Sequence, residues 1–399
     1  MSSADDVSSY RPEPLPYWRL SGFYLFFFAT LGALMPYWSI YLRGEGFTPA
    51  QIGELLSILV VTKLIGPNVI GWVADHTGLR LWIVRGASLL AAVMFTGVFF
   101  ADNYLSMALV MVAFSFFWNA TLPQFEALTM NHLGADTHRY SMIRLWGSVG
   151  FIITVTGMGW LLDLFGHGAM PWGVLVLFVG IFLGSLVAPG NGGQRRRGGE
   201  ESILRVLMRP EVIALFVVCF LIQASHGPYY GFFSIYLEDN GYSKSVTGML
   251  WALGVVAEVL VFLVMHRLMP RFGIYRLLLF TLLLTALRWV LTAHFIQSLP
   301  VILFAQTLHA FSFGVYHAVA IELIHRFFVG KNQGRGQALY SSLSFGLGGA
   351  AGLYLSGRTW EGIGPALTYD LAGLAAFVGA VITFVMLRRV DRTTAPVSA

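Results

Sequence analysis

Runs of about 20 mostly apolar residues, separated by short polar turns, recur along almost the whole chain. A run of that length wound as a helix crosses the hydrocarbon of a bilayer, so each is predicted to be a spanning helix. Twelve such runs fall at 18–42, 50–74, 81–101, 104–131, 138–162, 170–188, 210–237, 244–268, 274–293, 299–325, 336–357 and 365–388. An even count puts both chain ends on one side of the membrane. The longest connection, 189–209, holds Gly190, Gly192, Gly193, Gly198 and Gly199 around Arg195-Arg196-Arg197 and separates six helices from six. A Gly-rich polar stretch of this kind reads as a flexible joint. The fold expected is all-α, twelve transmembrane helices in two six-helix bundles, 18–188 and 210–390, with tails at 1–17 and 391–399.

Composition agrees and removes the soluble classes. Hydrophobic residues make up 56% of the 399 and charged residues 11%, with a mean hydropathy of +0.70, whereas a soluble globule carries about 25% charged residues. The net charge of +5 would suit nucleic acid if it were clustered on one domain, but its position points elsewhere. Arg80, Arg85, Arg139, Arg195 to Arg197, Arg205, Arg209, Arg267, Arg271, Arg276, Arg326, Lys331, Arg335 and Arg388 fall at one face, against Arg43, Lys244 and Arg358 at the other. By the positive-inside rule both termini are expected in the cytoplasm, and the basic excess is a topology signal rather than a nucleic-acid footprint. Residues 1–17 lack a basic stretch followed by a small-residue cleavage site, so the first helix is expected to be uncleaved. The single cysteine, Cys219, lies inside an apolar run and is expected to be a packing residue.

Few charges remain within the runs, and such charges normally face an interior and mark a pathway. Glu126 and Arg144 each lie nine residues from Ala135, the middle of the turn between the fourth and fifth helices, so an antiparallel hairpin sets them at one depth as a pair. Glu258 and Arg288 are likewise about equally distant from the turn near Gly273, and Arg288 and His309 from the turn near Gln297. Glu258, Arg288 and His309 are therefore expected as one layer on helices 8, 9 and 10. A carboxylate in such a layer can load and release a proton as its surroundings rearrange; a static ion pair holding helices together is the alternative. Asn119, Pro123, Glu126 and Met130 form a stripe on helix 4. Gln223, His226 and Tyr230 share a face of helix 7 beside Gly227-Pro228, which should break that helix. On helix 10, Tyr316 is aligned with His309, while His317 reads as an interior hydrogen-bonded histidine and Glu322 as a gating or structural residue. Glu54, at the start of helix 2, is expected to be hydrated.

The halves repeat at an offset of 195: Ser39-Ile40-Tyr41-Leu42 recurs as Ser234-Ile235-Tyr236-Leu237, and Gly46, Gly53, Leu55 and Gly78 as Gly241, Gly248, Leu250 and Gly273. Lys63 then falls opposite Glu258. A parallel repeat of six helices resembles the major facilitator superfamily, with its binding site between the halves. Gly71-Trp72-Val73-Ala74-Asp75-His76-Thr77-Gly78-Leu79-Arg80 is similar to that superfamily's loop motif, with Leu79 in place of one basic residue. The resemblance implies a gating role for Asp75, Gly78 and Arg80, with Asp75 touching a neighbouring helix end in the outward-open state. Glu126 with Arg144-Leu145-Trp146-Gly147, Glu258, Arg288 and Thr307-Leu308-His309 resemble the lactose permease-type oligosaccharide and nucleoside proton symporters. Arg144 to Val149, Gly227 to Phe232 and Leu253 to Val259 resemble the 3-phenylpropionic acid transporter family more closely still. The likeness implies substrate binding by Glu126 and Arg144 and proton coupling by Glu258, Arg288 and His309. Ser312 departs from the permease type, which has a carboxylate there, and Lys63 is the phenylpropionate-type residue.

Three cations, Lys63, Arg144 and Arg288, against Glu126 and Glu258 leave one surplus positive charge in the interior. That count favours a proton symporter importing a small organic anion, such as an aromatic carboxylate of the phenylpropionate kind. The substrate site is expected from Lys63, Asn119, Glu126, Arg144, His226 and Tyr230. Neutral nucleosides or oligosaccharides are the first alternative; an efflux carrier and a non-transporting sensor or scaffold are the others. The chain contains no phosphate-binding loop of the nucleotide type, and a carrier rather than an enzyme is expected, monomeric in a bacterial inner membrane, with no cofactor or metal.

Overall fold

Where several of the helices start and stop is visible in their end residues. Residues 15–134, 136–190 and 204–388 are described by the structure, a computed structural model. Most of the 189–209 joint, including Arg195 to Arg197, lies outside them, as do Ala135 and most of both tails. The spans, labelled here in chain order, are α1 (Tyr17–Gly44), α2 (Pro49–Thr77), α3 (Arg80–Phe100), α4 (Tyr104–Leu133), α5 (Tyr140–Phe165) and α6 (Met170–Val187) in the first half. The second half holds α7 (Pro210–Asp239), α8 (Lys244–Phe272), α9 (Ile274–His294), α10 (Leu299–Phe327), α11 (333–363) and α12 (Pro365–Met386). Thr48 opens α2 with a capping box closed by Gln51, and Pro49 sits where its missing N–H costs nothing. Asn103 and Ser106 do the same for α4, and Ser243 caps α8. Gly78 ends α2 at φ +70°, a left-handed turn open to glycine at no steric cost.

Among the described residues, eleven of these helices are long and apolar enough to cross a membrane. The twelfth, α11, is made of Gln333–Tyr340, the π-helical Ser341–Gly348 and Gly349–Ile363. It is less apolar because its Gly- and Ser-rich face meets α2 closely, as small residues allow within a bilayer. A Cβ on Gly53 would lie 2.6 Å from the Leu353 carbonyl oxygen and 2.8 Å from the Gly357 Cα.

Packing distinguishes the two faces of the bundle. At the face opposite the arginine-rich one, a single apolar cluster runs through both halves, from Trp38, Tyr41 and Leu55 to Phe233, Leu237 and Trp360. Toward the arginine-rich face the second half keeps a separate core of its own, built on Val212 to Ile222, Leu278, Tyr316 and Tyr340. Polar contacts crossing between the halves gather at the far face. Arg43 pairs with Asp239 at 2.5 Å and with Glu238, and Arg358 with Glu54 at 2.5 Å. Asp163 at the end of α5 accepts the Lys244 and Ser245 backbone N–H groups at 2.9 Å each and the Ser245 hydroxyl at 2.5 Å. Glu361 accepts the Ala50 N–H at 3.0 Å. Tyr37 donates to the Val155 carbonyl at 2.7 Å, and a Cβ on Gly248 would run into that same oxygen. The conformation is therefore closed at the far face and parted toward the arginine-rich face. Glu54, expected to be hydrated, is instead held between Arg358 and the Tyr104 hydroxyl at 2.8 Å, because the partner helix that supplies Arg358 comes from the other half.

Candidate functional site

Between the halves lies a cavity of about 360 Å³. Its first wall carries Phe28, Lys63, Trp118, Asn119, Arg144 and Ser148, and its second Gln223, Tyr229, Tyr230, Trp251, Glu258, His309 and Phe313. A mostly aromatic and aliphatic surface with a few convergent polar groups is the usual form of a small-molecule site. Lys63 and Glu258, equivalent by the internal repeat, both reach it, one from each half.

On the first wall the cations are uncommitted. The Arg144 guanidinium carbon lies 3.5 Å over the Phe28 ring centroid. Among the described residues neither Arg144 nor Lys63 has an ion-pair partner within 4.0 Å, and both line the cavity. The expected Glu126–Arg144 pair is not made. Glu126 accepts a hydrogen bond from the Tyr140 hydroxyl at 2.9 Å and is not part of the cavity wall, so equal depth on a hairpin did not bring the two ends together. Asn119 lines the cavity, yet its amide donates to the Leu59 carbonyl at 2.9 Å and the Thr62 hydroxyl at 3.1 Å, bracing α4 against α2.

On the second wall the polar groups are tied to one another. Arg288 is fully buried and donates to His309 Nδ1 at 3.1 Å, to the Ser312 hydroxyl at 2.9 Å and to Gln306 Oε1 at 3.2 Å. Its guanidinium also lies 4.2 Å from the Tyr229 ring centroid and 4.6 Å from that of Trp289. Arginine only donates, so His309 Nδ1 must accept, which leaves the ring hydrogen on Nε2. Nε2 is 3.6 Å from Glu258 Oε2. The layer of Glu258, Arg288 and His309 is thus present, with the histidine between the other two rather than a direct Glu258–Arg288 pair. Side-chain exposure is 20% for Glu258 and 8% for His309, so the carboxylate is the member in reach of the cavity.

Two backbone features create this layer. A π-helical stretch, Ala310–Val315, follows His309 directly and places Ser312 under Arg288. Gly314 admits Glu258, whose Cγ would be 3.3 Å from a Cβ there. The same stretch breaks the expected alignment of Tyr316 with His309: Tyr316 is buried in the core of the second half, its hydroxyl 3.5 Å from the Cys219 carbonyl. Cys219 itself is buried and unpaired. His317 bonds the Tyr340 hydroxyl at 3.0 Å, and Glu322 pairs with Arg326 at 2.8 Å.

His226 is where α7 breaks, as Gly227-Pro228 led one to expect. Its ring stacks on that of Tyr230 with centroids 5.5 Å apart and is fully buried. It accepts no place in the cavity wall, hydrogen-bonding the Ile222 carbonyl at 2.7 Å and sitting edge-on to Trp289. Asp75 pairs with Arg80 inside its own loop, and α2 meets the Gly349–Ile363 part of α11 through its opposite end. Among the described residues the contact from Asp75 to a neighbouring helix end implied by the loop motif is not made, as the helices are parted at this face. Phe28, Trp118, Tyr229, Trp251 and Gln306 were not singled out from the sequence. Tyr229 alone had a signal, as a neighbour of Tyr230 beside the break.

The sequence profile of the MFS_1 like family matches residues 17–371. The chain is 29% identical over 367 residues to the probable 3-phenylpropionic acid transporter of Escherichia coli (strain K12), covering 90% of this chain and 94% of that protein. To the maltose permease of Geobacillus stearothermophilus it is 26% identical over 380 residues, covering 93% and 94%. The crystal structure of the nucleoside transporter NupG superposes with a TM-score of 0.79 at 16% identity, over 93% of this chain and 99% of that one, a likeness of fold. A twelve-helix, two-bundle architecture around a central cavity and a profile match along nearly the whole chain lead to one conclusion: the protein belongs to the MFS_1 like family, within the major facilitator superfamily of secondary transporters.

Proposed function

We propose that the protein is a proton symporter that imports a small organic anion, with an aromatic carboxylate of the phenylpropionate kind as the substrate that fits best. The observation that carries this reading is the asymmetry of the cavity: Lys63 and Arg144 stand on one wall with no ion-pair partner among the described residues, while Glu258 and His309 face them from the other. An anion between the two cations answers their charge, and the aromatic lining suits a flat apolar body. The first relative named above, a probable 3-phenylpropionic acid transporter, supports the same substrate class. Buried charge is costly in a membrane. One carboxylate and one proton entering together leave the net charge of the cavity unchanged, and this favours their movement as a pair. In this reading Glu258 receives the proton, since adding one at His309 Nδ1 would break its bond from Arg288. With the arginine-rich face in the cytoplasm, as the positive-inside rule expects, the conformation described is open to the cell interior. The protein works as a monomer in the inner membrane.

Proteoliposomes test the reading. 3-Phenylpropionate is expected to drive proton entry with wild-type protein, and Glu258→Gln to abolish that entry. Lys63→Gln is expected to weaken carboxylate uptake. Stabilisation by maltose or uridine, with none by any carboxylate, would replace the anion reading by that of a neutral-solute symporter.

A further inference from the structure

We infer that Phe28 and Gly147 are positioning residues that fix the plane of the Arg144 guanidinium so that it takes a carboxylate by two parallel hydrogen bonds; the inference rests on the anion reading above. Arg144 lies with its guanidinium carbon 3.5 Å over the Phe28 ring. Gly147 is three residues further along α5, on the same face. A Cβ there would lie 2.6 Å from Arg144 Nη1 and 2.6 Å from Phe28 Cδ2, so the stacked pair fits only because position 147 carries no side chain. The platform is fixed to its own helix pair: a Cβ on Gly32, four residues beyond Phe28 on α1, would be 2.7 Å from the Phe151 carbonyl oxygen of α5.

Arg288 shows the opposite arrangement of the same chemistry. Its rings, Tyr229 and Trp289, cover it, and its two terminal nitrogens are occupied by His309, Ser312 and Gln306, leaving Nε without a partner among the described residues. Arg144 has one face covered and no partner among the described residues on its edge. A guanidinium held flat with a free edge is matched to the planar, two-oxygen geometry of a carboxylate, and a primary amide cannot accept both of those bonds.

The test measures binding of 3-phenylpropionate and of 3-phenylpropionamide to the full chain in nanodiscs. Phe28→Leu and Gly147→Ala are each expected to weaken the acid about tenfold, the scale of a desolvated cation–ring contact, while the amide changes far less. Phe28→Tyr, which keeps the ring, is expected to recover most of the loss. A Cβ at 147 meets only side-chain atoms, Arg144 Nη1 and the Phe28 ring, and no backbone, so Gly147→Ala should fold with that pair displaced; if it does not fold, the Phe28 variants decide. Equal weakening of acid and amide by Phe28→Leu, or none of either, overturns the positioning role while leaving the anion reading intact. Failure of the wild type to bind the acid at all overturns both.

Discussion

Closure of the far face depends heavily on one carboxylate, and removing it should reopen that face. Asp163 ends α5 in the first half, yet its three hydrogen bonds go to the first residues of α8 in the second half, two of them to backbone N–H groups at 2.9 Å. These bonds exist only while the halves touch, so their whole free energy biases the equilibrium toward the closed far face. Capping a helix contributes about 1 kcal/mol, and a negative charge at a helix N-terminus a further 0.3–1 kcal/mol or so. Asp163 is exposed, which argues against the higher values of buried charge-assisted bonds. Asp163→Ala should therefore cost the closed form about 2 kcal/mol, roughly a 30-fold shift, so that a bias of about 100:1 would fall to about 3:1. Asp163→Asn keeps an acceptor and should fall between. With Cys219→Ser as background, spin labels at Glu45→Cys and Gln297→Cys, one in each half at this face, report the separation directly. A longer-distance population that grows in the order wild type, Asp163→Asn, Asp163→Ala is the expected result. An unchanged distance distribution in Asp163→Ala would refute the reasoning, leaving Arg43 and Arg358 or apolar packing as the closing force.

Two further outcomes follow from the same geometry. Gly53→Val is expected to hold the far face open regardless of Asp163, because even a Cβ there meets the Leu353 carbonyl at 2.6 Å and the Gly357 Cα at 2.8 Å, backbone that cannot step aside; the same spin-label pair reads it, and an unaltered closed distance would count against the contact. Arg288→Ala should lower stability by about 3 kcal/mol, because His309 Nδ1, the Ser312 hydroxyl and Gln306 Oε1 all lose a buried donor and each such loss costs about 1–3 kcal/mol before relaxation, seen as a large drop in melting temperature, whereas Arg144→Ala, whose guanidinium holds no hydrogen bond among the described residues, should cost much less. Similar melting temperatures for the two variants would contradict the contrast drawn between committed and uncommitted arginines.

The helices and their two-bundle arrangement were legible because membrane spans announce themselves by length and apolarity, and because the repeat survives in residues such as Gly53 and Gly248. Both are positions of close approach to the other half: Gly53 beside Gly357, Gly248 beside Val155. Depth along a helix was legible too, since it needs only counting, and Lys63, Arg144, Glu258 and His309 do reach a common cavity. What counting could not give was direction around the helix axis wherever the helix ceases to be regular. His226, at the break of α7, is buried against Tyr230 and Trp289 rather than on the cavity wall, and the π-helical Ala310–Val315 undoes the alignment of Tyr316 with His309. Glu126 misses Arg144 for a different reason. Its depth was right, but Tyr140, a residue from the start of α5, competes for the same oxygen.

That competition bears on how the site is built. A Glu126–Arg144 ion pair would neutralise the one guanidinium whose edge is open and would leave Lys63 as the sole free cation of the cavity. With Tyr140 holding Glu126 and Phe28 holding Arg144, the negative charge is kept near the positive wall without occupying it. The second half uses the reverse device: Ser312, standing where the permease-type symporters have a carboxylate, accepts a bond from Arg288 and adds no charge. Glu258 is then the only carboxylate on the cavity wall among the described residues. Restoring an acid there, by Ser312→Glu, should therefore pair with Arg288 and release His309 from it, transferring to the tenth helix a role that the proposed cycle gives to the eighth. Proton entry driven by 3-phenylpropionate that survives in Ser312→Glu combined with Glu258→Gln would demonstrate that transfer. If the double variant is as inactive as Glu258→Gln alone, the layer requires its carboxylate on α8, facing His309 Nε2, and the position of the acid rather than its presence sets the coupling.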